Sequence, residues 1–224
     1  VRVERAFLDE LGISTLVAVA GGSLGGMQAL EWALLYPSFV TTIIPIATTH
    51  ALNPQGIAWN AIARSAIMTD PNWNDGHYYG TQWIPKSGMA IARMVGHMTY
   101  LSAESIADKF GRRLQENNEI TYQLNYPEYA IESYLQYQAN KFVTRFDANT
   151  YLYTSRALSY FDLAKEHGSG SLEKAVERIT AKTLLICFSS DWLYPPENSR
   201  ALADALATNK KRVEIHEIIT KYGH

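Results

Sequence analysis

The chain has 224 residues, 47% of them hydrophobic and 19% charged, which is ordinary for a globular enzyme with one core or a core plus a subdomain. Its net charge of -2 gives no electrostatic reason to expect nucleic acid or an anionic membrane as a partner. The single cysteine, Cys187, excludes an internal disulfide, and the lack of a signal-peptide pattern or of an apolar run of roughly 20 residues leads us to expect a cytoplasmic protein.

The first fifty residues alternate between helical and strand-like patterns. The spacing of apolar positions over residues 2–11 predicts a helix. The almost continuous apolar run of residues 15–20 is typical of a strand buried on both faces of a parallel sheet. A second helix is predicted over residues 27–36 and a second strand over residues 40–47. This alternation indicates an α/β architecture.

The middle of the chain has a different character, because strand-like runs disappear between about residues 53 and 164. Helices are predicted there over residues 57–68, 88–98, 103–114, 128–146 and 150–163. The sheet pattern then resumes with a strand, a helix and a strand over residues 183–188, 197–207 and 213–219. We therefore predict a core of residues 1–52 and 165–224 with a mostly parallel sheet, and an inserted helical lid subdomain of residues 53–164.

A G-x-S-x-G motif, Gly21-Gly22-Ser23-Leu24-Gly25, lies between the first predicted strand and the next helix. A strand that turns directly into a helix needs glycines around the turn and holds the serine at a strained backbone angle, which exposes its hydroxyl as a nucleophile. The backbone N–H of Leu24 would then be one donor of an oxyanion hole. The alternative is a glycine-rich turn that only packs tightly or binds a phosphate.

A serine nucleophile needs a base, and the base needs a carboxylate that orients it. In the α/β-hydrolase fold these residues follow the serine in the order acid, then histidine. Asp191 comes just after the predicted strand 183–188, and His224 follows the last predicted strand, so these two residues complete a candidate triad with Ser23. The alternatives are a turn-forming carboxylate and a histidine without a role.

Metal and nucleotide sites find little support in the sequence. The histidines and the cysteine do not cluster at ligand spacing, so we predict no metal site and no resident cofactor. The glycines match neither a P-loop nor a G-x-G-x-x-G frame.

The sequence around the motif, and much of the insert, resembles the homoserine O-acetyltransferase family of the α/β-hydrolase superfamily. The resemblance covers nearly the whole chain and includes Gly21-Gly-Ser-Leu-Gly-Gly-Met-Gln-Ala-Leu-Glu-Trp-Ala33, Tyr36-Pro37, Arg64, Ala66-Ile67, Asp70-Pro-Asn-Trp73, Gly88-Met-Ala-Ile-Ala-Arg93, Thr99-Tyr100, Phe110-Gly-Arg112, Glu132-Ser-Tyr-Leu135, Phe142, Arg145-Phe-Asp-Ala-Asn149, Asp191 and Tyr222-Gly-His224.

The resemblance implies acyl transfer in two steps, with acetyl-CoA as co-substrate. Ser23 would take the acetyl group and pass it to the hydroxyl of L-homoserine, giving O-acetyl-L-homoserine for methionine synthesis. It also implies that Arg93 and Tyr100 line the tunnel above the serine. Arg93 would bind the carboxylate of the substrate, and Arg64 is a weaker candidate for the same role. The resemblance further implies that the protein forms a homodimer through the insert. The alternative for each arginine is a structural contact between helices of the insert.

The resemblance further leads us to expect a partial sequence, incomplete at both ends of the core, because only about 14 residues precede the first predicted strand and none follow His224. A piece of this kind would expose sheet edge and core, and we expect it to be inactive and prone to aggregation when made alone.

Three alternatives to an acetyltransferase remain open at this point. A serine esterase or other hydrolase of the same fold would use the same three residues and pass the acyl group to water. A close relative would use succinyl-CoA or would acylate L-serine. A binding protein on this scaffold would not need the complete serine, aspartate and histidine set that the chain retains.

Overall fold

The computed structural model describes residues 1–115, 119–122, 124 and 127–224, and it divides the chain into two compact units. The first unit comprises residues 1–52, 160–220 and 224, and the second comprises residues 53–159 and 221–223. The predicted insert, 53–164, begins where the second unit begins but extends five residues past residue 159.

The elements of the described residues are, in chain order, α1 (Arg2–Glu10), β1 (Val19–Gly22), α2 (Leu24–Leu35), β2 (Thr42–Ile46), α3 (Pro54–Met68), a 3₁₀ segment (Pro71–Gly76), α4 (Lys86–Tyr100), α5 (Ala103–Phe110), α6 (Ala130–Val143), α7 (Ala148–Tyr160), α8 (Leu163–Gly168), α9 (Leu172–Val176), β3 (Lys182–Phe188), α10 (Pro196–Thr208) and β4 (Val213–Ile218). Each predicted helix and strand overlaps an element of the expected kind, whereas α8, α9 and the 3₁₀ segment were not predicted. None of the helices in the described part of the chain has both the length and the apolar character needed to cross a membrane.

Two boundaries beside the glycine motif differ from the prediction. Strand β1 begins at Val19 and not at residue 15, because the earlier part of the apolar run makes only an isolated bridge to Val40 through Leu16. Helix α2 begins at Leu24 and not at Met27, so the helix starts directly after the candidate nucleophile. The strand therefore extends through Gly22, and only Ser23 separates it from the helix.

The first unit contains a four-stranded parallel sheet in the order β1-β2-β3-β4. One row of paired residues crosses all four strands and consists of Val19, Ile43, Thr183 and Val213. Because parallel strands all end at the same edge of the sheet, the segments after β1, β3 and β4 start from that shared edge. These segments carry Ser23, Asp191 and His224.

The core of the first unit is apolar and closely packed. Fully buried side chains from α2, the sheet, α8, α9 and α10 form it, and the largest are Leu30, Leu34, Ile43, Leu163, Val176, Ile179, Leu185, Leu202 and Leu206. The second stretch of the first unit begins at residue 160 and not at the predicted residue 165, and Leu163 explains this difference. The side chain of Leu163 is fully buried in this core, and its amide donates to the carbonyl of His50 at 2.9 Å.

The second unit is helical in its described residues and has a smaller core of its own. The buried members of that core are Ala63, Ile67, Tyr78, Met89, Ala92, Phe142 and Ala148. Helices α3 and α4 approach so closely that a Cβ on Gly88 would lie 2.4 Å from the carbonyl oxygen of Ala66. The carboxylate of Asp70 accepts from the amide of Gly88 at 2.9 Å at the start of α4.

Candidate active site

Ser23 occupies a sharp turn between β1 and α2. Its backbone has φ 56° and ψ -118°, a conformation that L-residues rarely adopt and that costs of order 1–3 kcal/mol. The turn passes so close to the helix that a Cβ on Gly21 would lie 2.3 Å from the carbonyl carbon and oxygen of Gly25. The predicted strand-to-helix turn is therefore present, and Gly21 is the residue that allows it.

Hydrogen bonds to the backbone on both sides of Ser23 hold this strained turn in place. The amide of Ser23 donates to the carbonyl of Ile46 at 2.8 Å. The carbonyl of Ser23 accepts from the hydroxyl of Thr48 at 2.8 Å, and from the amides of Gly26 and Met27 at 3.0 and 3.2 Å. The backbone N–H and C=O of Ser23 therefore both have hydrogen-bond partners, and these bonds keep the residue in its strained conformation.

Thr48 contributes to the site although no sequence motif marks it. Its side chain is buried at 3% exposure and lies against α2, where a Cβ on Gly26 would be 2.6 Å from the Cβ of Thr48. The preceding residue, Ala47, has a positive φ of 45°, so the chain turns abruptly after β2. A threonine after a β-branched strand has no distinctive sequence signal, and only the pairing of β1 with β2 brings it to Ser23.

Ser23, His224 and Asp191 form a continuous chain of hydrogen bonds within the first unit. The Oγ of Ser23 lies 2.9 Å from Nε2 of His224, and Nδ1 of His224 lies 2.7 Å from Oδ2 of Asp191. A carboxylate accepts and does not donate, so Nδ1 carries the proton, and Nε2 is left to accept from the serine hydroxyl. His224 is thus within proton-transfer distance of both Ser23 and Asp191, the two residues with which it was predicted to act.

The environment of Asp191 suits an orienting carboxylate. The residue is 3% exposed, and its Oδ1 accepts from the amides of Leu193 and Tyr194 at 3.0 and 2.9 Å. With Oδ2 on the imidazole, both oxygens have partners, which offsets part of the cost of burying a charge. The ring of Tyr194 meets the imidazole of His224 edge-on, 5.1 Å between centroids, and restricts its rotation. Tyr194 lies three residues past Asp191, but its sequence context does not indicate this contact.

Ser23 is only partly buried, and so is the hydrogen bond between its hydroxyl and His224. Leu24 is the first residue of α2, and the amides in the first turn of a helix have no acceptor within the helix. The N–H of Leu24 therefore has no acceptor within α2, as the predicted oxyanion donor requires. The positive end of the helix dipole lies at the same end of α2 and would also stabilise a negative charge there.

Arg93 and Tyr100 both lie on α4 in the second unit. The Nε of Arg93 is buried without a hydrogen-bond partner, and its guanidinium packs over the rings of Phe142 and Tyr100 at 4.8 and 5.6 Å. Among the described carboxylates none forms an ion pair with this arginine. A guanidinium in aromatic surroundings without a carboxylate partner is suited to bind an anionic ligand.

Arg64 has a different environment from Arg93. It is 5% exposed, and its Nη1 donates to the carbonyl of Ser155 at 3.1 Å and to the hydroxyl of Ser159 at 3.1 Å. These bonds join α3 to α7 within the second unit. The structural alternative considered for Arg64 matches these contacts, although the acceptors are serines and not a carboxylate.

Two other histidines are buried or paired away from the triad. His167 lies in α8, with its Nε2 3.0 Å from Glu31 on α2. His97 is buried in α4, and burial, together with the charges of Arg93 and Lys109, lowers its pKa to about 4.

The sequence matches the family model described as alpha/beta hydrolase fold over residues 2–224. The chain belongs to the α/β-hydrolase fold family. Two curated relatives are similar to the whole chain: a homoserine O-acetyltransferase of Solidesulfovibrio magneticus, 47% identical, and a homoserine O-succinyltransferase of Neisseria gonorrhoeae, 48% identical. The chain covers 56% and 58% of these two proteins, so it spans little more than half their length.

Two solved structures share the architecture of the whole chain. A homoserine O-acetyltransferase from Bacillus anthracis is 28% identical with a TM-score of 0.90, and the chain covers 58% of it. The esterase E22 is 29% identical with a TM-score of 0.87, and the chain covers 60% of it. The same architecture is therefore found in an acyltransferase and in an esterase.

Proposed function

We propose that the protein containing this chain is a homoserine O-acetyltransferase in which Ser23 carries the acyl group between two substrates. The observation that carries the proposal is the hydrogen-bonded chain of Ser23, His224 and Asp191, in a sequence nearly half identical to homoserine acyltransferases along its whole length. The activity by which those relatives are named, acylation of homoserine, indicates the acceptor, and the proposed triad supplies the chemistry.

In the first half-reaction Nε2 of His224 takes the proton of the Ser23 hydroxyl as the oxygen attacks the thioester carbonyl of acetyl-CoA. The carbonyl oxygen becomes an oxyanion, for which the N–H of Leu24 is the proposed donor. The C–S bond then breaks, and the thiolate leaves with the proton from His224. The products are free CoA and an acetyl ester on Ser23.

In the second half-reaction His224 takes a proton from the hydroxyl of L-homoserine, whose oxygen attacks the acetyl-serine carbonyl. The Ser23 oxygen leaves and recovers the proton, which releases O-acetyl-L-homoserine, the product that we place in methionine synthesis. Because CoA departs before the acceptor reacts, the kinetics are ping-pong. Asp191 stays ionised throughout and stabilises the imidazolium that forms in each half-reaction.

For the acceptor, we propose that Arg93 binds the carboxylate of homoserine and that Tyr100 contributes to the same site. The buried Nε without a partner supports this role, since an arginine can bind a carboxylate through two parallel hydrogen bonds. Arg64 is left out of the proposed site because its Nη1 already bonds α7.

We also propose a cytoplasmic homodimer that forms through the helical unit. Exposed aromatic side chains of that unit, Tyr79, Trp83 and Tyr153, are 63%, 61% and 79% accessible and would supply apolar area for such an interface. Sedimentation equilibrium of the full-length gene product tests this state.

The second candidate function is a serine esterase, and the likeness to esterase E22 favours it. An esterase would pass the acyl group to water with the same triad. Within the acyltransferase proposal, the Neisseria gonorrhoeae relative makes succinyl-CoA the alternative donor.

The deciding experiment uses the full-length gene product with acetyl-CoA or succinyl-CoA, each with homoserine, serine or water, and follows thiol release. We expect acetyl-CoA with homoserine to be fastest, and Ser23→Ala to abolish covalent labelling by radioactive acetyl-CoA. An exposed serine outside the triad, in Ser38→Ala, is the matched control and should label normally. Thiol release that homoserine does not stimulate would refute the transferase in favour of the hydrolase.

A further inference from the structure

The peptide group between Ser23 and Leu24 joins two parts of the site that act on the same carbonyl of a substrate. Its C=O belongs to Ser23, the proposed nucleophile, and its N–H belongs to Leu24, the proposed oxyanion donor. The peptide is trans and planar, so the C=O and the N–H point in opposite directions and turn together. Rotation about ψ of Ser23 would therefore move the oxyanion donor relative to the serine hydroxyl.

Three donors to the carbonyl of Ser23 oppose this rotation. Two of them are the amides of Gly26 and Met27, at 3.0 and 3.2 Å, and both belong to α2 itself. They join the carbonyl to the helix that it begins and to no other element. The third donor is the hydroxyl of Thr48, at 2.8 Å, which comes from the chain after β2. Thr48 therefore ties the peptide to a second element, from outside the helix.

Thr48 is itself closely confined. Its side chain is 3% exposed, and a Cβ on Gly26 would lie 2.6 Å from its Cβ and 2.8 Å from its Cγ2. The backbone before it is anchored to the sheet, because the amide of Ala47 donates to the carbonyl of Ile186 at 2.8 Å. All these residues belong to the first unit. The buried hydroxyl thus has a fixed position, and water cannot readily replace its hydrogen bond.

We propose that Thr48 is a positioning residue for the oxyanion hole, whose hydroxyl fixes the peptide between Ser23 and Leu24 so that the N–H of Leu24 points at the reacting carbonyl oxygen. The inference rests on the proposed function through one step, the acylation of Ser23. Donation to the C=O also polarises the peptide, which makes the N–H on its opposite side a stronger donor. The hydroxyl of Thr48 lies on the carbonyl side, so it acts through the peptide and not on the substrate.

Loss of this hydroxyl should slow acylation with little change in substrate affinity. Complete removal of an oxyanion donor costs roughly 100- to 1000-fold in rate. Thr48→Val keeps the N–H of Leu24, and two amides still hold the carbonyl of Ser23, so the loss should be smaller, roughly 10-fold. The ester concentration that gives half the maximal rate of acylation should stay within about twofold, because the oxyanion forms only after the substrate has bound.

The test is the pre-steady-state burst of 4-nitrophenolate from 4-nitrophenyl acetate in the full-length gene product. Ser23 takes the acetyl group as 4-nitrophenolate leaves, so the burst amplitude counts active sites and the burst rate measures their reactivity. Thr48→Val removes the donor with little change of shape, whereas Thr48→Ser keeps the donor and removes the methyl group. Thr49→Val is the matched control, because Thr49 is 1% exposed but its hydroxyl donates to the carbonyl of Ala51 at 2.6 Å.

A burst rate at least fivefold lower in Thr48→Val, with Thr48→Ser and Thr49→Val within twofold of wild type, supports the proposal. Any other pattern of burst rates overturns it. If Thr48→Val gives no active sites, Thr48→Ala decides by the same criterion, because alanine places no methyl group against the carbonyl of Ser23. Loss of active sites in both variants would also overturn the proposal, since the hydroxyl would then be required for folding and not for positioning.

The proposed function fails by a different observation. A burst that persists in Ser23→Ala would refute Ser23 as the acyl carrier, and with it the role of Thr48. A burst that Ser23→Ala abolishes and Thr48→Val leaves unchanged would refute only the positioning role. The ester needs no amino-acid acceptor, so neither result depends on whether homoserine accepts the acyl group.

Discussion

Alanine substitutions of Gly21, Gly25 and Gly26, the glycines close to Ser23, should differ strongly in their effect on stability. The motif itself does not distinguish Gly21 from Gly25, because it requires glycine at both positions. A Cβ on Gly21 would lie 2.3 Å from backbone atoms of Gly25, which cannot rotate away. A Cβ on Gly26 would lie 2.6 Å from the Cβ of Thr48, a side chain that could shift. A Cβ on Gly25 would meet no atom within 4 Å. We predict that Gly21→Ala is the most damaging and Gly25→Ala the least.

The magnitudes follow from the type of clash. Overpacking costs about 1–3 kcal/mol and occasionally more, so Gly21→Ala should lie near or above the upper limit and Gly26→Ala within the range. Gly25 is in the first turn of α2 and has no positive φ, so alanine should gain up to about 1 kcal/mol from helix propensity. In the full-length protein, each kcal/mol corresponds to less than the roughly 2–4 °C of melting temperature that is typical of 150–250 residues. Gly21→Ala should therefore lose up to roughly 6–12 °C, and Gly25→Ala should gain less than about 4 °C.

The assay is thermal unfolding of each variant in the full-length gene product, followed by circular dichroism. The pre-steady-state burst of 4-nitrophenolate from 4-nitrophenyl acetate, measured on the same samples, reports whether Ser23 can still be acylated. Gly25→Ala serves as the internal control, because it adds the same methyl group four residues away. Equal destabilisation by Gly21→Ala and Gly25→Ala would show that the turn does not have the close approach described here, and the reasoning would fail.

Two further predictions concern ionisable groups. Asp191→Asn should keep the hydrogen bonds from the amides of residues 193 and 194, so the melting temperature should be nearly unchanged. The side-chain amide of the asparagine would donate to Nδ1 of His224, which forces the imidazole proton onto Nε2. The imidazole could then no longer accept the proton of Ser23, and kcat should fall about 10⁴-fold. The pKa of His97 is about 4 when folded and near 6.5 when unfolded, so between these values only the unfolded state binds the proton. The urea midpoint should therefore fall as the pH drops from about 6.5 to 4, and less steeply in His97→Gln; parallel profiles would exclude His97 as the cause.

The sequence was sufficient to predict the elements of the sheet and to single out Ser23, Asp191 and His224, which the structure joins by hydrogen bonds. Apolar runs and helical spacing depend on residues close in the chain, so they predict β2, β3, β4 and the helices to within a few residues. The G-x-S-x-G motif located Ser23, and the fixed strand order of the fold then led to Asp191 and His224. Short helices such as α8 and α9 were missed, since five or six residues carry too little periodicity to be recognised.

Local pattern along the chain thus determined which segments form strands, and parallel strands that end at one edge bring together whatever residues follow them. The tertiary structure alone decided the contacts between distant segments: Thr48 on the carbonyl of Ser23, and Arg64 bonded to α7. The physical reason is that such contacts join residues 25 and 91 positions apart, and their geometry arises from packing that no local pattern encodes.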